Sequence, residues 1–165
     1  MLRDRFLEGM GRVPNAVCVV TTDGKAGRAG VTVSTLSSVS ADDPALLVCV
    51  HHLSPACSAI RENGVFCVNV LHARASAIAD TFAGVVKTAD GDKFSCAEWH
   101  TLETGAPVVE RPLVAFDCRL GLATQWRTHF IFVGEVAAVE LAESEPLLYG
   151  RRTYGRFAPL QAVAG

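Results

Sequence analysis

Two pairs of β-prone segments in this chain are joined by connections that leave little room for a helix. Ala16–Thr22 and Val31–Leu36 flank the turn-rich stretch DGKAGRAG, and Leu113–Leu122 and Phe130–Leu141 flank a loop that holds Gln125, Trp126 and Arg127. Parallel neighbours need a crossover of a dozen or more residues, usually a helix. Each pair therefore reads as an antiparallel hairpin. A doubly wound parallel sheet, which needs a helix after nearly every strand, is excluded.

The other segments fit the same architecture. Ala45–His51, Val65–Leu71 and Pro146–Tyr149 complete a set of seven expected strands. Leu2, Phe6, Leu7 and Met10 recur at helical spacing up to Gly11. Ser54-Pro55 opens a second helix that stops near Asn63-Gly64, and Ala73–Ala83 is a third, followed by a polar loop over Gly84–Asp92. Many strands with few helices predict a mainly β fold: an antiparallel split β-barrel with peripheral helices. The length of 165 residues suits a single domain, residues 1–165, with one sizeable core.

Composition removes several functions. Half the residues are hydrophobic and 19% are charged, which is globular rather than disordered. A formal net charge of -2 offers no basic footprint for nucleic acid. Apolar runs such as Ala45–Val50 are too short to span a bilayer, and the charged start MLRDRFLEG lacks a signal-peptide core. The expected location is cytoplasmic. Cys18, Cys49, Cys57, Cys67, Cys96 and Cys118 form no C-x-x-C pair and several sit in Val-rich segments, so they read as small buried hydrophobes. His51 and His52 are adjacent but lack an evident third ligand, so no metal is expected. Gly24, Gly27 and Gly30 resemble a dinucleotide loop only superficially, because no helix follows them.

The chemically suggestive segment is Gly30–Ser40, GVTVSTLSSVS, where hydroxyls alternate with apolar side chains. Alternation along a strand sends the two kinds to opposite faces. Such a strand end suits the polar edge of a flat heterocycle whose face is covered by Val or Leu. An ordinary Thr-rich strand with a Ser-rich loop explains the same residues.

The order of motifs along the chain resembles the short-chain flavin reductase family, the FMN-binding split-barrel type. GVTVSTLSSVSADDPALLVCV is similar to its strand–loop–strand signature. Phe66-Cys67-Val68-Asn69-Val70-Leu71, Ala79-Asp80-Thr81-Phe82-Ala83, Lys93-Phe94 and Gly105-Ala106-Pro107 follow in the family's order. His129 with Gly134-Glu135-Val136, then Pro146-Leu147-Leu148-Tyr149 with Arg152 and Tyr154, complete the match. Two positions depart from the pattern. Arg127-Thr128-His129 replaces Gly-Asp-His or Gly-Thr-His, and Asp43-Pro44-Ala45 replaces Asp-Pro-Pro.

The resemblance implies an NAD(P)H:flavin oxidoreductase that reduces FMN, or alternatively FAD, with NADH or NADPH as co-substrate. Thr32, Val33, Ser34 and Thr35 match residues at the polar edge of the isoalloxazine. Val48, Cys49, Val50 and His51 match the strand end beside the ribityl chain, and Ser54 matches the phosphate-receiving loop. Ser54 also fits a plain N-cap. Phe82, Lys87 and Lys93 match the region closing over the flavin, with core packing and solvated loop charge as the alternatives. His129 and Tyr154 match residues near the nicotinamide, and Arg127, Arg151 and Arg152 are candidates to meet a 2′-phosphate. Hydride transfer between two rings needs approach to about 3–3.5 Å but no nucleophile or general base from the protein, so no catalytic side chain is assigned. The family implies a homodimer and a partner flavin-dependent monooxygenase. A reductase with tightly held FMN and a corrin or ferric acceptor, and a non-enzymatic flavin-binding barrel, stand as alternatives.

Overall fold

The structure, a computed structural model, describes residues 1–160. The last five positions of the expected domain, 161–165, lie outside the described residues. In chain order the elements are α1 (Leu2–Arg12), β1 (Asn15–Ala16), β2 (Cys18–Thr22), β3 (Ala29–Val33), β4 (Ser37–Ser40) and β5 (Ala45–His51). Then come α2 (Pro55–Asn63), β6 (Val65–Val70), α3 (Ser76–Phe82), a 3-10 turn at Lys93–Cys96, β7 (Trp99–Thr101) and β8 (Pro107–Val109). The chain finishes with β9 (Val114–Trp126), β10 (His129–Leu141), β11 (Leu147–Gly150) and β12 (Thr153–Arg156).

Seven strands form one sheet in the order β3-β2-β6-β9-β10-β5-β4, and every pairing in it is antiparallel. The fold is mainly β with three helices, as the short connections require. Side chains from β2, β5, β6, β9 and β10 meet in a single core containing Val20, Val48, Val50, Val68 and Phe132, with Val31 and Val33 of β3 packed against it. The sheet therefore curls until its two ends, β3 and the β4–β5 pair, face each other. The seam between them is bridged by a side chain: Thr35 Oγ1 accepts from the Cys49 N–H and donates to the Cys49 carbonyl, both at 3.3 Å. Main-chain pairing of Ser37 with Leu47 stops one pleat short of this point. The barrel is split there.

Local sequence follows this environment. β2 is buried along its whole length, because Cys18 and Val20 face the barrel core while Val17 and Val19 face a second cluster with Leu71, Phe82 and Leu147. A strand covered on both faces reads as a continuous apolar run. β5 alternates, with Leu46, Val48 and Val50 inward. α2 buries Ala56, Cys57, Ala59 and Ile60 and plugs one mouth of the barrel. Gly134 lies where β10 shifts register against β9; a Cβ there would sit 2.5 Å from the Phe66 ring and 2.7 Å from Cys118 Cβ.

The structure corrects several element boundaries. Val31–Leu36 is not one strand: β3 ends at Val33, and the Ser-rich stretch after it forms β4. β1, β7, β8 and β12 are short strands made by pairing rather than by composition. Gln125 and Trp126 belong to β9, not to a loop, and only Arg127 and Thr128 turn the hairpin. Arg127 has φ 52°, so the arginine takes the left-handed conformation that the family's glycine would supply.

Candidate functional site

A cleft of about 480 Å³ opens where β3 leaves the barrel. Its floor is Val17 of the β1–β2 link with Thr32, Val33 and Ser34. One wall is the end of α3, with Asp80, Ala83 and Val85, and the other is the β11–β12 hairpin, with Tyr149, Arg152, Thr153 and Tyr154. That volume lies within the range of pockets for drug-sized ligands, about 300–1,000 Å³.

Three contacts fix the cleft. Thr32 Oγ1 donates to the Ala79 carbonyl at 2.7 Å, which ties β3 to α3. Tyr154 donates its phenol to Asp80 Oδ1 at 2.6 Å, which ties the hairpin to the same helix. Tyr149 meets Tyr154 edge-on with centroids 5.4 Å apart. Burial, then the hydrogen bond to Asp80 and its charge, push the Tyr154 phenol up to about 12. The phenol is a donor locked onto a carboxylate.

The Thr35–Cys49 bridge leads from this cleft along the seam. Cys49 turns its backbone N–H and C=O toward Thr35, so the pleat sends those of Val48 and Val50 to β10. The side chains of Val48 and Val50 are buried in the barrel. At the end of β5, His51 and His52 are exposed, and His51 lies 5.1 Å from the His129 ring across the β5–β10 pairing. Ser54 follows as the first boundary residue of α2, and its side chain makes no capping hydrogen bond. Its hydroxyl is therefore not used as the plain N-cap reading requires.

The sequence-derived residues fall into three places. Thr32, Val33, Ser34 and Tyr154 line the cleft. Thr35, Cys49, His51, Ser54 and His129 lie along the seam and at its far end. Phe82, Lys87 and Lys93 line neither. Phe82 is 1% exposed, with Phe94 and Trp99 edge-on at 5.0 and 5.6 Å, so its ring is core. Gly30 makes room for it, since a Cβ there would lie 2.6 Å from the Phe82 ring. Lys93 Nζ donates to the Phe82 carbonyl at 3.3 Å, and Lys87 is exposed on the loop after α3. His129 and Tyr154, both matched to the nicotinamide, are not brought together within one protomer: only Tyr154 lines the cleft. Asp80 and Tyr149, which the motifs include without a site role, and Thr153, which they do not include, also line the cleft. Asp80 and Tyr154 are 74 positions apart, so no local pattern announces their bond.

A mainly antiparallel barrel with its cleft on an open seam is the architecture of the flavin-handling split barrels. Residues 10–158 match the model of the "Flavin reductase like domain" family. The FMN reductase (NADH) RutF of Ancylobacter novellus is 42% identical over 166 residues, covering 99% of this chain and 86% of that protein. The NADH:FAD oxidoreductase SgcE6 of Streptomyces globisporus C-1027 superposes with a TM-score of 0.86 at 28% identity, over 95% of this chain and 94% of that one. A homolog of nitrilotriacetate monooxygenase component B from Mycobacterium thermoresistibile gives a TM-score of 0.85 at 25% identity, over 98% and 93%. The chain belongs to the flavin reductase-like domain family.

Proposed function

We propose that this protein is an NADH-dependent FMN reductase that supplies reduced flavin to a monooxygenase. The observation that carries the reading is the order in which the chain places the cleft over Thr32–Ser34, the Thr35–Cys49 bridge and Ser54 at the start of α2. A flat ring, a polyol chain and a terminal phosphate follow one another along FMN in that order. The relative RutF supports FMN and NADH as the pair.

The residues fit such a ligand. Val17 and Val33 line the cleft as apolar residues, with Ser34 beside them. The positive end of the α2 dipole favours an anion beside Ser54, although Pro55 has no N–H and the Cys57 N–H already donates to the Ser54 carbonyl. A flavin held in the cleft would supply the redox chemistry, that of accepting a hydride. The protein's part is to bind, to orient and to keep the second ring face open. Thr32 and Tyr154 do this by fixing β3 and the β11–β12 hairpin on α3, so the walls of the cleft hold their spacing.

A homodimer suits the surface. α1 buries none of its residues in the protomer, and Leu122 and Trp126 stand exposed on the β9–β10 arm. A second copy seated on these faces would cover them. No described helix is long and apolar enough to cross a membrane, and six free cysteines with NADH chemistry support a cytoplasmic location.

The test is aerobic oxidation of NADH by purified protein with added FMN. Turnover that saturates with FMN is expected. A yellow protein that turns over only with a corrin or ferric acceptor would favour the tightly bound alternative, and no NADH oxidation would overturn the proposal.

A further inference from the structure

A hollow of about 600 Å³ opens at the end of the barrel where β10 stops and β9 begins. It shares no lining residue with the cleft over β3. Four segments bring charged or ionisable side chains to it: His72 and Arg74 from the β6–α3 link, Arg111 from the β8–β9 link, Glu143 and Glu145 from the β10–β11 link, and Arg156 from β12.

The backbone around the hollow is fixed. The Ala73 N–H donates to the Glu145 carbonyl at 2.8 Å, and His72 bridges to Pro146. The Arg74 N–H donates to His72 Nδ1 at 3.2 Å, so the imidazole carries its proton on Nε2. Arg111 is the least expected of these residues. Its φ is 56°, although Pro112 follows and a residue before proline is normally extended. Hydrogen bonds on both sides hold it there. The Glu110 N–H donates to the Glu98 carbonyl and the Leu113 N–H to the Val70 carbonyl, each at 2.9 Å. Strain maintained in this way is a reason to look for a use.

The charges of the hollow do not cancel within the protein. Arg156 is paired with Glu145 at 3.6 Å. Arg74, Arg111 and Glu143 have no ion-pair partner within 4.0 Å among the described residues. Two guanidinium groups and one carboxylate are left over. We propose that the hollow binds an acidic α-amino acid, with its two carboxylates on Arg74 and Arg111 and its ammonium group on Glu143. A guanidinium meets a carboxylate through two parallel hydrogen bonds. A dicarboxylate without the amine leaves Glu143 facing like charge, and that repulsion is what discriminates against it. An amino acid with a neutral side chain leaves one guanidinium unmatched. The site stands apart from the flavin reading, since it uses none of the cleft's residues.

Calorimetry of the full chain with L-glutamate should show one site per chain. Arg74→Gln and Arg111→Asn should each weaken that binding about tenfold, as for a lost charged hydrogen bond. Asparagine tolerates the left-handed conformation, so Arg111→Asn should keep the melting temperature of the unaltered protein. Arg74→Gln touches no strained residue and gives the answer should the Arg111 variant fail to fold. Glutarate, which is glutamate without the amine, should bind the unaltered protein about tenfold more weakly than glutamate. Glu143→Gln should narrow that gap. Absence of binding by both L-glutamate and L-aspartate, or binding that neither arginine variant weakens, would overturn the proposal. Glutarate binding as tightly as glutamate would overturn it equally.

Discussion

Tyr154 shows how a single bond organises the cleft. Its phenol is half-buried and bonded to Asp80, and the neutral form is the one the fold favours. That stabilisation is complete below the ordinary tyrosine pKa of about 10 and is lost as pH rises toward about 12. The chain has two tyrosines, so ultraviolet titration of the phenols should show Tyr154 ionising only near about 12, after which the cleft opens. Tyr154→Phe should remove that late step and lower kcat/KM for NADH several-fold, while the barrel stays folded. Gly30 works at the same scale by contact alone. Gly30→Ala forces a methyl into the Phe82 ring, and overpacking of this kind costs about 1–3 kcal/mol. Chemical denaturation should report that loss, and FMN affinity should fall with it because β3 is the floor of the cleft.

Among elements, the seam decides most. β3 and β5 approach without a main-chain ladder, and Thr35 stands in for one. Thr35→Val should cost about 1 kcal/mol, the size of one net hydrogen bond, and raise the KM for FMN more than the KM for NADH. Steady-state kinetics in both substrates would read this split; an equal rise in both would argue against a flavin role for the seam. The same element shows what local pattern conceals. Hydroxyl alternation marked Thr32–Thr35 as worth attention, but Val31–Leu36 read as one strand because propensity has no means of registering where pairing ends. β4 is Ser-rich and exposed and exists because Leu46 and Leu47 offer it an edge. The motif places Phe82 beside the flavin, whereas its ring faces Phe94 and Trp99. A helix face names the side that is covered, never what covers it.

For the whole molecule, the proposed dimer rests on the apolar surface that the protomer leaves uncovered. Leu2 and Phe6 of α1 are 84% and 61% exposed, and Trp126 on the β9–β10 arm is 72% exposed. Sedimentation should give twice the 17.5 kDa of one chain; a monomer at micromolar concentration would refute the dimer. The six thiols are free, and burial pushes Cys18 and Cys118 up to about 12. Cys18, Cys67 and Cys118 should therefore resist alkylation in the native protein and react only on unfolding, whereas half-exposed Cys49 and Cys96 should label first.

The sequence by itself determined the antiparallel class, because short connections cannot carry a parallel crossover. Alternation and motif order picked out the strand end that floors the cleft. Only the tertiary structure decided where the barrel stays open, which histidine stands beside which, and that Asp80 meets Tyr154. These are encounters between distant parts of the chain, and they depend on how the sheet curls. No single segment carries that curvature, since it arises when every strand is packed against its neighbours at once.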